Sequence, residues 1–176
     1  MAGDTEIKTA RLVLRRFRDG DLTDVAALIR DKMASPYAPY DIQWPTADET
    51  MKDILGYFMC DDSWYAVELA REKRVIGFVS ANRADTPETR NLGYTIHSDY
   101  KNNGYAYEAC VALIGHCKTD LGVKVFVAGT ADCNIPSVKL LFKLRFLKVQ
   151  SFEASFAANA DGSPITFGAG RYQLTL

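Results

Sequence analysis

Within one short polar loop the hydrophobic pattern of this chain changes from that of a strand to that of a helix. Residues 91–97 (Asn-Leu-Gly-Tyr-Thr-Ile-His) have strand composition, and from Gly104 onward Ala106, Ala109, Cys110, Leu113 and Cys117 recur on one helical face. The Asn103-Gly104 pair between them is a strong hairpin dipeptide. The residues after Gly104 lack strict alternation, however, so the unit reads as strand, tight loop, helix. Such a junction is a ready anion site, because unpaired N–H groups and the positive end of the dipole meet there. Gly104 lets backbone approach a phosphate closely, Ala106 keeps the first turn open, and Lys101 adds a cation. Neither Gly-x-x-x-x-Gly-Lys-Ser/Thr nor Gly-x-Gly-x-x-Gly is present, which removes a kinase or NTPase reading.

The rest of the chain supplies a sheet for this unit. Residues 11–17 alternate apolar and basic, and Asp19-Gly20-Asp21 offers an N-cap to a helix carrying Leu22, Val25, Ala26, Leu28 and Ile29. Residues 34–45 hold three prolines and the aromatics Tyr37, Tyr40 and Trp44 without periodicity, which predicts an ordered loop. Thr46-Ala47-Asp48-Glu49 reads as a capping box opening a helix to Cys60. Residues 64–69 and 75–81 read as strands, and Gly122 stops the central helix. Residues 124–130 form a short buried strand, and Asn134-Ile135-Pro136-Ser137 starts a helix ending near Leu144. Residues 147–157 and 171–176 supply the last strands. The order implies a mixed α/β or α+β sheet.

Length and charge narrow the function classes. At 176 residues the chain fits one domain, taken as residues 1–176, and its net charge of -1 argues against a broad nucleic-acid surface. No apolar run is long enough to span a membrane, and the start, residues 1–8, is polar rather than a secretory signal. Cys60, Cys110, Cys117 and Cys133 form no Cys-x-x-Cys pair, so they read as core thiols rather than metal or redox groups, and no metal is expected. These features predict a cytoplasmic protein.

The loop Lys101-Asn102-Asn103-Gly104-Tyr105-Ala106 resembles the pyrophosphate-binding motif of the GNAT acetyltransferases, Arg/Gln-x-x-Gly-x-Gly/Ala. Three further pieces resemble the RimJ/RimL-type branch, which acetylates ribosomal-protein N-termini, in order and spacing. They are residues 9–15 (Thr-Ala-Arg-Leu-Val-Leu-Arg), residues 92–97 (Leu-Gly-Tyr-Thr-Ile-His) and residues 134–146, which run from Asn134 and Ser137 to Phe146. The resemblance spans about residues 9–148 and implies a single-domain GNAT-type fold, a mixed central sheet of about six or seven strands flanked by about four helices. It implies an acetyl-CoA-dependent N-acetyltransferase acting on a primary amine, either a peptide N-terminus or a small molecule, in a monomer or homodimer. Tyr94, Thr95 and Ile96 would offer backbone to the pantetheine arm, residues 101–106 would hold the pyrophosphate, and Asn134 and Ser137 would reach the arm and the thiol. Asn134 equally suits a plain N-cap.

Departures from the pattern also matter. Lys101 replaces Arg or Gln, Ala10 replaces Glu, and Arg145 replaces a Gly, which predicts a different or strained helix exit. Leu141 stands where many GNAT enzymes place a tyrosine that protonates the leaving thiolate. Amide formation from a thioester needs a neutral amine, a polarised carbonyl and a protonated leaving group. Ser137 is the candidate acid, Glu88 and Glu153 are the candidate bases, and each carboxylate also reads as a solvated surface group. Tyr65 and Tyr107 are weaker candidates, Cys110 and Cys133 lack a base, and His97 and His116 read as structural or surface groups. Tyr37, Tyr40 and Trp44 either line an acceptor site or form lids on the core. The rival reading is a non-catalytic acyl-CoA-binding domain.

Overall fold

Alternation along the strands sorts the sheet into two apolar faces. The computed structural model describes residues 6–176, so the first five residues of the polar start lie outside the described residues. The strands are β1 (Ile7–Lys8), β2 (Leu12–Arg15), β3 (Trp64–Leu69), β4 (Val75–Arg83), β5 (Thr89–Ile96), β6 (Val125–Ala131), β7 (Leu147–Ala154) and β8 (Phe167–Thr175). The helices are α1 (Leu22–Ala34), α2 (Met51–Cys60), α3 (Tyr105–Asp120) and α4 (Ile135–Lys143). The sheet order is β1-β2-β3-β4-β5-β6-β8-β7, and among the described residues only β5 and β6 run parallel. The additional strand beyond the expected six or seven is β1, whose two residues pair with Leu14 and Val13 and are too few to show a period.

On one face, Leu12, Leu14, Tyr65 and Val67 pack with Ala109, Cys110, Leu113 and Cys117 of α3 and Leu141 of α4. On the other, Trp64, Ala66 and Phe78 pack with Val25, Leu28 and Ile29 of α1 and Ile54, Leu55 and Phe58 of α2. Each fully buried Leu, Ile, Val or Phe side chain among these contributes about 1.5–3 kcal/mol. Cys110 and Cys117 are core thiols as expected, whereas Cys60 and Cys133 are exposed, which corrects the core reading for those two.

The side-chain caps predicted for α1 and α2 do not form. Asp21 does precede α1, but its carboxylate accepts from Arg15 Nη1 and Nη2 at 2.8 Å, while Arg15 Nε donates to Glu68 at 2.7 Å. Arg15 alternates onto the α1 side, where it is 5% exposed. A buried guanidinium needs carboxylate partners more than a helix needs one cap, so the ion network takes Asp21. The Thr46 box is absent too: α2 begins after a 3₁₀ turn, Asp48–Thr50, without a side-chain cap. Within that turn Asp48 pairs with Arg30 of α1.

The two predicted helix exits behave as read. Gly122 has φ +66 just beyond α3. Arg145 has φ +69 after α4, where Phe146 N–H donates to Leu141 O (3.0 Å) and Arg145 N–H to Phe142 O (2.9 Å). That is a Schellman closure built on a non-glycine residue.

Candidate functional site

The parallel pair at the centre of the sheet is short. Register joins Thr89 to Val125, Arg90 to Phe126 and Asn91 to Val127, and there it stops. β5 continues to Ile96 along β4, whereas β6 continues to Ala131 along β8. The strands therefore part, and residues 92–96 of β5 have one edge without a strand partner. An unpaired edge offers N–H and C=O groups to an extended ligand, as it would to a peptide strand. Tyr94, Thr95 and Ile96 lie on this open edge.

At the mouth of the opening stands the predicted loop. A 3₁₀ turn, Ser98–Tyr100, leads into it, tied to α1 because Ser98 N–H donates to Asp31 Oδ2 at 2.9 Å. Lys101, Asn102, Asn103 and Gly104 are exposed. Asn102 has φ +63 and Gly104 φ +81, and the Asn103 amide donates back to the carbonyls of Tyr100 (3.3 Å) and Lys101 (3.1 Å). Gly104 is the N-cap of α3 and brings no capping side chain, so the first-turn N–H groups, those of Tyr105 and Ala106 included, stay available to an anion.

A clamp that sequence reading overlooked fixes this loop. Arg11 Nε donates to Glu108 Oε2 at 2.7 Å, and Arg11 Nη1 donates to the Asn103 carbonyl at 3.0 Å. The Arg11 guanidinium also lies 4.5 Å from the centre of the Tyr105 ring, and Thr9 Oγ1 donates to Glu108 Oε1 at 2.6 Å. Partial burial pushes the Glu108 carboxyl up, but hydrogen bonds from Thr9 and Arg11 outweigh it and hold it below the usual carboxylate value. Arg11 and Glu108 are 97 residues apart, and no local period reports such a contact. Beside the clamp is an open pocket of about 520 Å³ lined by Thr9, Arg11, Gly104, Tyr107, Glu108 and Lys143, among others.

The start of α4 forms the other wall. Asn134 Oδ1 accepts from Ser137 N–H at 3.3 Å, so the expected cap is made. Ser137 Oγ is 2.7 Å from the hydroxyl of Tyr94. Burial pushes the Tyr94 phenol well above its ordinary range, although the Ser137 hydrogen bond acts in the opposite direction.

The remaining candidates lie elsewhere. Glu88 pairs with Lys124 at 2.6 Å at the closed end of the β5–β6 pair. Glu153 is exposed on the edge strand β7, separated from β6 by β8. Tyr65 is buried beneath Arg16, and Tyr107 packs under Lys143 at 4.4 Å. Burial pushes the Cys110 thiol well up and that of Cys117 up to about 11, so both are neutral core groups. His116 contacts Asp120 at 2.5 Å, and His97 Nδ1 accepts from Asp99 N–H. Trp44 packs over Phe58 and Trp64 as a lid on the core, whereas Tyr40 meets Phe167 of β8 edge-on at 5.3 Å. No group of three or more metal-ligating side chains, and no helix long and apolar enough to cross a membrane, occurs among the described residues.

A model of the acetyltransferase (GNAT) domain matches residues 11–147. The N-acetyltransferase YnaD of Bacillus subtilis (strain 168) is 25% identical over 139 residues, covering 78% of this chain and 80% of that protein. A GNAT-family acetyltransferase from Bacillus anthracis has the same fold at a TM-score of 0.82 and 20% identity, covering 97% of this chain and 98% of its own. So does RimL, a ribosomal alpha-N-protein acetyltransferase solved in complex with coenzyme A as a disulfide to one of its cysteines. Its TM-score is 0.79 at 17% identity, covering 98% of both chains.

Proposed function

This chain belongs to the acetyltransferase (GNAT) family and is an N-acetyltransferase, and from that premise we propose that it moves the acetyl group of acetyl-CoA directly to a primary amine, at a protein N-terminus or on a small molecule. The observation that carries this reading is the parting of β5 from β6 beyond Asn91 and Val127, with the Gly104 loop and the α4 N-terminus at its mouth. The open edge at residues 94–96 would take the pantetheine arm, with the Asn134 amide beside it. Residues 101–106 would take the pyrophosphate on free N–H groups. What supports this placement is the left-handed backbone at Gly104 and the N-terminus of α3 left without a capping side chain. An added Cβ at Gly104 would meet Arg11 Nη2 at 3.6 Å, an ordinary contact, so the backbone conformation and not crowding is what calls for glycine.

In the transfer, the amine lone pair forms the new C–N bond while the C–S bond breaks and its electron pair goes to sulfur. One proton leaves the amine and one must arrive on the thiolate. Ser137, on the first turn of α4, stabilises that thiolate with its hydroxyl and the positive helix end. Glu88, paired with Lys124 at the closed end of the β5–β6 pair, and Glu153, on the edge strand β7, stand away from the opening. Solvent water therefore takes the amine's proton, and water at Ser137 returns one to the thiolate. Tyr40 and Phe167, where residues 34–45 meet β8, would line the acceptor side.

Thiol release from acetyl-CoA tests the reading. The panel is a peptide with a free N-terminal serine, a peptide with a free N-terminal alanine, a polyamine and an aminoglycoside, run beside a direct CoA-binding measurement. One of these amines should release thiol well above the acceptor-free rate. CoA binding without release on any amine would instead favour a binding domain.

A further inference from the structure

Tyr94 alternates with Leu92 and Ile96 toward the α3–α4 face of the sheet, and its hydroxyl reaches across to α4. Its contacts there are Ser137 Oγ at 2.7 Å and, more weakly, the Ser137 carbonyl at 3.4 Å. A hydroxyl carries one proton and two lone pairs, so the direction of the shorter bond decides what serine can do next. If Ser137 donates to Tyr94, its only proton is spent. If Tyr94 donates, the serine proton turns toward the cleft. A free phenol is a stronger acid than an alcohol, although burial weakens this one. The other acceptor in its reach, the Ser137 carbonyl at 3.4 Å, is too distant to compete with Ser137 Oγ at 2.7 Å for its proton.

We propose that Tyr94 is a positioning residue that acts through Ser137: its phenol donates to Ser137 Oγ and so aims the serine hydroxyl at the departing CoA thiolate. The proposal rests on the proposed role of Ser137 and adds a residue to it. Ser137 and Leu141 are four apart on one face of α4, so Tyr94 supplies from the strand a phenol that Leu141 does not supply from the helix. Burial keeps the proton on the phenol, which suits a fixed donor and not an acid consumed in each cycle. The titratable groups that act on Tyr94 through charge are Cys110 of α3, Tyr172 of β8 and Asp41 of the 34–45 loop, itself paired with Lys32 at 2.6 Å. These are the same in wild type and variants and cancel in the comparison.

The test uses CoA alone and therefore needs no acceptor. CoA isotope-labelled at the carbon bonded to sulfur is bound to the protein, and its thiol is titrated by NMR. In the wild type the bound thiol should ionise at lower pH than free CoA. Ser137→Ala should raise its midpoint by about one pH unit, the scale of one hydrogen bond to a charge. Tyr94→Phe should raise it by a similar amount while CoA affinity stays within about twofold, and the double variant should go no further than either single one. A Tyr94→Phe midpoint at the wild-type value, with Ser137→Ala still shifted, overturns the proposal and leaves Ser137 in its role. Additive shifts also overturn it, because the two groups would then act independently. A Tyr94→Phe protein that loses CoA affinity more than about tenfold shows the ring to be a structural support and overturns it as well. If Ser137→Ala moves nothing, both the role of Ser137 and the proposal fail.

Discussion

Arg145 occupies left-handed backbone at φ +69, in the position where a Schellman closure favours glycine. A side chain there costs roughly 1 kcal/mol, part of which glycine gives back through its freer unfolded chain. The substitution Arg145→Gly should therefore stabilise the protein by about 0.5–1 kcal/mol, seen as a melting temperature higher by roughly 1–4 °C for a chain of this size. Turnover should not change, since the exit already delivers Phe146 fully buried into the core. A lower melting temperature would mean that the arginine makes a compensating contact. Gly104, at φ +81, poses the opposite case. Val is β-branched and tolerates that backbone poorly, and its methyl groups would stand where a phosphate must approach. Gly104→Val should weaken CoA binding by at least about tenfold, and Gly104→Ala by less. Calorimetric titration of the folded variants checks this, and wild-type affinity in both would reduce the loop to a turn.

Much of what positions the site was legible because it is local. The strand-to-helix switch at Gly104, the Asn134 cap and the stop at Gly122 each depend on a residue and its near neighbours, and each is present. The Asp21 cap was misread because a carboxylate able to cap a helix is also able to join an ion pair, and Arg15 prevails for Asp21. The Thr46 box was misread because the 3₁₀ turn Asp48–Thr50 moves the start of α2 to Met51, away from Thr46. The parting of β5 from β6 is set by long-range register, which a single strand's pattern does not contain. The clamp on the loop was illegible for the same reason, since it joins the β1–β2 turn to the first turn of α3. Its consequence is a pH dependence whose sign is set by Glu108. The folded carboxyl is held below its ordinary value of 4.5, so its contribution is present above that value and is lost as pH falls through the folded one. Glu108→Gln should thus melt below the wild type at neutral pH, and the gap should close as the pH is lowered beneath 4.5. Melting curves of the two proteins across that window decide it. A gap independent of pH would assign the loss to packing instead of charge.

Viewed across the whole sheet, the molecule is two portions joined at a short seam. One portion carries β1 to β5 with α1, α2 and α3, and the other carries β6, β7 and β8 with α4. Three registered residue pairs join them across β5 and β6, with the apolar face shared by α3 and α4 and polar ties such as Glu88–Lys124, Asp85–Arg171 and Tyr94–Ser137 beside them. A ligand lying in the opening, with its arm on β5 and its thiol end at α4, would bridge both portions and bind only where both are folded. Acetyl-CoA or CoA at about one hundred times its dissociation constant should then add about 2.7 kcal/mol to stability by mass action. For a chain of this length that corresponds to a rise of roughly 5–10 °C in melting temperature. ATP and NAD carry comparable phosphates but have no arm to lay along residues 94–96, so at equal concentration they should give much less. The comparison separates the two parts of the site, because the phosphates test the Gly104 loop alone and the arm tests the open strand edge. Equal stabilisation by all three would show that the loop merely attracts polyanions. A rise with CoA alone, absent in Gly104→Val, would tie the loop and the open edge of β5 to a single ligand.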